Sequence, residues 1–311
     1  MHARPLLLVT AALAVAGCAT KPPPASAGSS ASPAAGSASA AASARAATGT
    51  AGEPCGALEC RSFTTAREAF EVVLAARPLA LGIGESHAQR GSEGVASATR
   101  RFTDELLPAL AGKASFLLVE LMMPNDKCKK ETKQVARQQA PATQPQAATN
   151  QSEYVALGTR ARALGIVPDL LRPSCDDLTR ITQAGADDID LMLRMTATLT
   201  TGVVAGQLER DATAGKGLMV VSYGGALHND VSPKAGHEAW SYGPALAHKT
   251  GGRYVELDLI VPEYIRDSEA WTSLPWYPHY DRARLGKRAV LLRVAPSSYA
   301  LVLPESAPAP E

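Results

Sequence analysis

The chain lacks the features by which many binding proteins are first recognised. Its formal net charge of +1 argues against electrostatic capture by nucleic acid, which needs a clustered basic face. Neither a GxGxxG fingerprint nor a phosphate loop occurs. The apolar run at the start, from Leu6 to about Val15, is too short to span a bilayer as a helix. We therefore expect no nucleic-acid partner.

Residues 1–17 have the layout of a signal peptide: Arg4 in a short n-region, an apolar h-region, and small residues before Cys18. The ending VAGC at 15–18 resembles the lipobox of bacterial lipoproteins. The resemblance implies that the peptide is removed before Cys18, and that lipidated Cys18 anchors the chain to a membrane. The alternative is an ordinary secretory peptide with an incidental cysteine.

Residues 18–52 are almost wholly Ala, Ser, Gly and Pro after the cysteine, which predicts a disordered tether. Ala19 resembles the residue found in lipoproteins sent to an outer membrane, so we expect a lipid-anchored protein of the cell envelope that faces the periplasm or the exterior. Residues 304–311 predict a second disordered end. Residues 53–303 are long enough for one sizeable domain.

The remaining cysteines are Cys55, Cys60, Cys128 and Cys175. An even number in an exported chain favours disulfides over free thiols. We prefer the local pairing of Cys55 with Cys60 and the pairing of Cys128 with Cys175, although four cysteines permit three pairings. A zinc site is disfavoured because the Cys-x-x-Cys spacing is absent.

The stretch LALGIGESH at 79–87 is the centre of the sequence pattern. It is an apolar run without helical periodicity, and it ends in Glu85 and His87, which predicts a buried strand that delivers two titratable groups to a loop. The stretch LMVVSYGGALHND at 218–230 repeats this plan and ends with His228. A third apolar run, SFLLVEL at 115–121, places Glu120 near its carboxyl end.

Strand and helix patterns alternate along the domain. A helix opens at the capping box of Thr65 and Glu68, and the strands at 79–87 and 115–121 enclose an amphipathic helix at about 92–111. This order predicts an α/β fold with a mostly parallel central sheet and helices on both faces. The carboxyl ends of parallel strands line the ligand crevice in such sheets, so the four titratable residues should converge on one rim.

Other segments have plainer interpretations. Residues 126–151 form a polar, proline-interrupted stretch, which we interpret as a solvent-exposed insertion. A long helix is predicted over about 187–211, and a closing hairpin over 289–302. In the strand at 253–261, Glu256 and Asp258 alternate with apolar residues, so that either one sheet face is polar or the strand lies near an edge.

Two histidines facing two carboxylates admit two chemistries. In the first, His87 is a general base, Glu85 or Glu120 orients its ring, and His228 stabilises negative charge or protonates a leaving group. In the second, His87, His228 and Glu120 hold a divalent metal that activates water.

The residues Gly84-Glu85-Ser86-His87, Glu120 and Gly225-Ala226-Leu227-His228 resemble the superfamily that unites Tiki proteases, erythromycin esterases and ChaN-like haem-binding lipoproteins. The resemblance implies an α/β core with the motif residues in one cleft. It does not choose the chemistry, since its branches are metal-dependent proteases, metal-free lactone hydrolases and haem-binding proteins. The first motif is one residue tighter than the Gly-Glu-x-x-His of the esterases.

The leading hypothesis is a membrane-anchored exported protein with a hydrolase-like His/Glu cleft that acts on a small molecule or a peptide. The alternative is a lipoprotein that binds haem or an iron compound without catalysis. Tyr154, Tyr223 and Tyr242 are then the candidate ligands. A third hypothesis is an interaction module that uses the Lys/Gln-rich insertion as its contact surface.

Overall fold

The computed structural model describes residues 7–8, 52–92, 94–185 and 189–306. Cys18 with almost all of the tether, the tail beyond 306 and the predicted signal peptide apart from Leu7 and Leu8 lie outside the described residues. Within the described ranges, no helix combines the length and apolarity that a bilayer crossing requires.

Ten strands form one sheet within the described ranges. They are β1 (Leu7–Leu8), β2 (Glu53–Pro54), β3 (Arg61–Phe63), β4 (Ala80–Glu85), β5 (Ala114–Met122), β6 (Val167–Leu171), β7 (Met219–Gly225), β8 (Tyr254–Ile260), β9 (Ala289–Ala295) and β10 (Ser298–Val302).

Six neighbouring strands run parallel in the order β6-β5-β7-β4-β8-β10. The strands β9, β3 and β2 continue antiparallel beyond β10, and β1 lies antiparallel against the end of β5. The chain leaves β4 towards β5 on one side and later leaves β7 towards β8 on the other. The strand order therefore reverses at β4 and β7, which is where an open α/β sheet forms its crevice.

The helices are α1 (Ala66–Leu74), α2 (Ala98–Arg101), α3 (Lys129–Thr143), α4 (Asn150–Ala163), α5 (Cys175–Ala184), α6 (Ile189–Thr213), α7 (Gly243–Lys249), α8 (Glu269–Thr272) and α9 (Arg282–Leu285). The capping box at Thr65 is present, with Glu68 accepting from the Thr65 backbone. The helix predicted over 92–111 begins at Ala98 and passes through a π-helical turn, Phe102–Leu106, into a 3-10 turn, Leu107–Leu110.

Helices cover both faces of the sheet, as predicted. One face packs against α1 and α4, whose Phe70 and Tyr154 join Leu81, Ile83 and Val221 in the larger core. The other face packs against α6 and α7, where Val204 and Leu246 meet Phe116, Val220 and Tyr254. Apolar side chains at alternate strand positions supply both layers, so the parallel strands are buried on both sides.

The insertion at 126–151 is helical rather than irregular. A 3-10 turn, Asp126–Cys128, leads into α3, which includes Pro141 and ends at Thr143. Val135 on α3 is fully buried against α5 and α6, because one apolar stripe among good helix formers is enough to dock a polar helix. Cys128 and Cys175 join this helix to α5, with their Cα atoms 5.6 Å apart.

The second predicted cysteine pair also lies at disulfide distance, with the Cα atoms of Cys55 and Cys60 5.1 Å apart. The closing hairpin is present as β9 and β10. The strand β8 is central rather than at an edge, because β4 and β10 pair with its two sides. Glu256 and Asp258 are two positions apart, so they lie on one face of the sheet, in its interior and not at its edge.

Alternate glycines on β4 make room for large side chains from neighbouring elements. A Cβ atom at Gly82 would lie 2.1 Å from the Tyr254 hydroxyl oxygen, far inside van der Waals contact. That hydroxyl donates to the Asn229 carbonyl at 2.6 Å and is buried. The glycine at position 82 therefore serves the close approach of a tyrosine and not a turn.

Replacement of Gly82 by alanine should destabilise the protein by about 1–3 kcal/mol, because the new methyl group must displace Tyr254 from a packed layer. The matched control is Gly202→Ala on α6, where a Cβ atom meets nothing within 4 Å and the exposed helix should gain about 0.5–1 kcal/mol. Urea denaturation measures both changes. Equal free energies of unfolding for the two variants would contradict the packing argument.

Candidate functional site

The carboxyl ends of β4, β5 and β7 bring the four predicted residues together. Glu85 is the last residue of β4 and is in register with Gly225, the last residue of β7. His87 follows β4 by two residues, and His228 follows β7 by three. Because the three strands run parallel, both loops leave the sheet at the same rim as Glu120 of β5.

His87 is held by Glu85 and Tyr154. Its Nδ1 atom lies 2.8 Å from Glu85 Oε1, and the Tyr154 hydroxyl donates to the same oxygen at 2.9 Å. A carboxylate oxygen accepts, so Nδ1 carries the proton that it donates. In the neutral ring, the lone pair therefore lies on Nε2, which is free to take a proton or to bind a metal.

His228 is held in the same way by a different acceptor. Its Nδ1 atom lies 2.7 Å from the carbonyl oxygen of Trp240, which can only accept, so Nδ1 again carries the proton. Its Nε2 atom lies 3.6 Å from Glu120 Oε1. The two rings thus have the same tautomer, with both Nε2 atoms unprotonated when the rings are neutral.

These groups converge over Gly225. A Cβ atom on this glycine would lie 3.4 Å from His87 Nε2, 3.8 Å from Glu120 Oε2 and 3.9 Å from His228 Cδ2. The Gly225 N–H donates to Glu120 Oε2 at 2.7 Å, which fixes the carboxylate. A side chain at 225 would occupy the space that the three functional groups share.

Burial sets the electrostatics of the site. Glu85, Glu120, His87 and His228 are 3%, 5%, 8% and 2% exposed. Burial raises the pKa of Glu120 above its ordinary value, against the opposing effects of His228, His87 and the Gly225 N–H. Burial lowers the pKa of His87, but the hydrogen bond and charge of Glu85 and the charge of Glu120 reverse this, so its pKa is raised overall.

The donor types of His87, His228 and Glu120 are those of a divalent metal site, although their ligand atoms do not all lie within 4.8 Å of one another. Two imidazole Nε2 atoms and a carboxylate are the ligands of hydrolytic zinc sites. In such sites the Nδ1–H of each histidine usually donates to an acceptor outside the ligand set, as it does here. Glu120 Oε1 and Glu85 Oε2 are buried without a hydrogen-bond partner among the described residues. An unsatisfied buried carboxylate oxygen beside an imidazole Nε2 is consistent with an ion or a proton between them.

The sequence reasoning missed the two groups that fix the rings. The sequence marks Tyr154 only as a candidate haem ligand, and it gives no sign of the Trp240 carbonyl, because a backbone acceptor has no signature in the sequence. All three candidate haem ligands are buried, with Tyr154, Tyr223 and Tyr242 at 1%, 1% and 4% exposure. Haem ligation, which calls for an exposed ligand, stays a prediction.

A separate cavity of about 450 Å³ lies at the other end of the sheet. Leu79 and Leu218, which precede β4 and β7, contribute to its largely apolar wall together with residues from the end of α6. It contains none of the four site residues. The parallel strands therefore have their polar cluster at one end and an apolar hollow at the other.

Comparison with known proteins gives little beyond this geometry. No family model matches the chain, and no curated protein matches it. Two solved structures are similar: the type III effector HopBA1, at 12% identity, and a mutant of the erythromycin esterase EreC in its open conformation, at 11% identity. Each alignment covers 78% of this chain and 94% of the other, with a TM-score of 0.37.

The Glu85→Gln variant should lower the pKa of His87, because it removes the hydrogen-bonded charge that opposes the effect of burial. Tyr154→Phe should have the opposite effect, since it removes a donor that competes for the same Glu85 oxygen. Histidine ring titration by NMR measures both, with the His87 signal identified from its loss in His87→Ala. Shifts of the same sign in the two variants would contradict the hydrogen-bond arrangement.

Proposed function

We propose that this chain is a hydrolase of the cell envelope. In this proposal His87 activates water, and Glu120, with His228 beside it, protonates the leaving group. One observation carries the proposal. Both imidazoles have Nδ1 fixed by an acceptor, so that His87 Nε2 and His228 Nε2 face one buried carboxylate over Gly225. Packing of the two rings does not by itself require both Nε2 atoms to face the same carboxylate.

His87 supplies the general base. A water molecule beside His87 Nε2 would lose a proton to that nitrogen as its oxygen attacks an acyl carbon. The proton on Nδ1 stays with His87, and Glu85 stabilises the resulting imidazolium. Tyr154 fixes the carboxylate of Glu85, so the base is oriented before the substrate binds.

Glu120 supplies the acid. Its raised pKa favours the protonated form, and its Oε1 atom has no hydrogen-bond partner among the described residues. A protonated Glu120 can give its proton to the leaving oxygen or nitrogen as the acyl bond breaks. His228 Nε2, 3.6 Å from Glu120 Oε1 and unprotonated in the neutral ring, is the acceptor that faces the acid proton of Glu120 before transfer.

The same donors could hold a divalent metal as part of this proposal. His87, His228 and Glu120 would be the ligands, and the ion would lower the pKa of bound water. Elemental analysis of the purified chain, beside its His87→Ala and His228→Ala variants, separates the two versions. Stoichiometric metal that both variants lose would favour the metal-assisted version, and its absence from the active parent would favour the metal-free one.

His87→Ala should reduce kcat/KM by about 10²–10⁴-fold, the usual contribution of a positioned general base. Because the substrate class is open, the assay panel should contain chromogenic carboxylic esters, lactones and fluorogenic peptides. The control is His248→Ala, which removes an exposed imidazole at the end of α7. Undiminished turnover in a His87→Ala/His228→Ala double variant would overturn the proposal.

The envelope location rests on Cys18 as the lipid anchor. The full chain expressed in a bacterial host should incorporate labelled fatty acid and partition into the detergent phase of Triton X-114. Cys18→Ala should abolish the labelling, whereas Cys55→Ala/Cys60→Ala should retain it. Unlabelled parent protein in the aqueous phase would indicate an ordinary secretory peptide instead.

A further inference from the structure

A second cluster of titratable side chains lies on and beside β8, the strand next to β4, and takes no part in the proposed hydrolysis. Asp230, Glu256 and Asp258 each offer a carboxylate oxygen, and these oxygens lie within 4.8 Å of one another. In the ranges that the structure describes, no other group of His, Cys, Asp or Glu side chains meets this criterion. Glu256 and Asp258 share one face of β8, and Asp230 comes from the loop after β7.

The cluster holds more negative charge than its surroundings balance. None of the three carboxylates forms an ion pair with a described residue, and Lys234, whose charge lowers the pKa of Asp230, donates instead to Ser273 Oγ at 2.9 Å. Carboxylates this close require either shared protons or a cation.

Glu256 already accepts two hydrogen bonds from residues around the cluster. Glu256 accepts from the Val231 N–H at 2.6 Å and from Ser298 Oγ at 2.7 Å. These bonds fix the orientation of the Glu256 carboxyl group, since both of its oxygens are acceptors. Each oxygen keeps a further lone pair for another partner.

A neutral side chain gives the second indication of a ligand. Asn229 is 0% exposed, and its Oδ1 atom has no hydrogen-bond partner among the described residues. Its Nδ2 atom donates to Asp258 Oδ1 at 2.9 Å. Asn229 Oδ1 and Asp258 Oδ1 both lie against Gly84, 2.5 Å and 2.6 Å from where its Cβ atom would stand.

Because Gly84 has no side chain, the amide oxygen of Asn229 and a carboxylate oxygen of Asp258 can both lie against its backbone. An amide oxygen left without a donor inside a protein is unfavourable, and it is a ligand that hard divalent cations accept readily. The donor set contains neither nitrogen nor sulfur, which distinguishes it from the His87, His228 and Glu120 cluster.

We propose that Asp230, Glu256, Asp258 and the Asn229 side-chain oxygen form a binding site for a hard divalent cation, of the calcium and magnesium class. The site does not depend on the proposed hydrolysis. It is joined to the His/Glu cluster by the consecutive residues His228, Asn229 and Asp230, so the cation would hold the segment that places His228.

The test is calorimetric titration of the chelator-treated full chain with CaCl₂, MgCl₂ and MnCl₂, together with melting temperature in each salt. We expect one site per chain for at least one of these ions, and a rise of several degrees in melting temperature. Asp258→Asn and Asp230→Asn, which keep side-chain shape, should each weaken binding at least tenfold. The second variant lies in a loop and guards against a folding defect in the first.

The control is Glu120→Gln, which alters the His/Glu cluster and should leave the affinity for these ions unchanged. Binding lost in Glu120→Gln but kept in Asp258→Asn would assign the ion to the His/Glu cluster and overturn the inference. Absence of binding at millimolar concentrations of all three ions would also overturn it. In that case the carboxylates share protons, and chelator-treated Asp258→Asn should melt higher than the parent.

Discussion

The parallel pairing of β4 with β7 is the constraint on which the rest of the structure depends. Gly84 is in register with Gly224, and Glu85 with Gly225. At Gly224, a Cβ atom would lie 2.0 Å from Glu120 Oε2, so the missing side chain is what admits the carboxylate from β5. Had either strand run the other way, the two histidine loops would leave from opposite rims.

This pairing also explains why the polar groups lie so deep. Parallel strands covered by helices on both faces have little contact with water, and titratable groups at their ends are desolvated unless the protein provides partners. Here the partners are specific: a carboxylate and a phenol for His87, and a backbone carbonyl for His228. The hydrogen bonds that offset the burial of the two rings also fix their orientation. Such preorganisation is common to catalytic and ligand sites.

The sequence is sufficient to predict the four residues of the site and the strands that carry them. It is not sufficient to predict the groups that orient them. Apolar runs without helical periodicity that end in glycine and histidine predict buried strands and the loops that follow them, because a short apolar run bounded by a glycine turn is typical of a buried strand. Tyr154 lies 69 positions from Glu85 and reaches it through helix packing, which no local pattern encodes. Similarly, Glu256 and Asp258 were seen to alternate with apolar residues, but their burial depends on β10, which returns to pair with β8 from 42 positions away.

The cysteine pairs lie at the two margins of the molecule. Cys55 and Cys60 pack with Val290 and Leu292 beside the antiparallel strands, and Cys128 and Cys175 fasten α3 to α5. Cys55 and Cys60 share that cluster with Ile260 of β8 and Val302 of β10, so this pair also packs against the parallel strands. A disulfide between Cys128 and Cys175 would join the start of α3 to the start of α5 across 47 positions of the chain. Reduction of this pair would therefore reach the His87 loop through the insertion, because the Ala147 N–H and the Asn150 side chain both donate to the carbonyl oxygen of Ala88, the residue after His87.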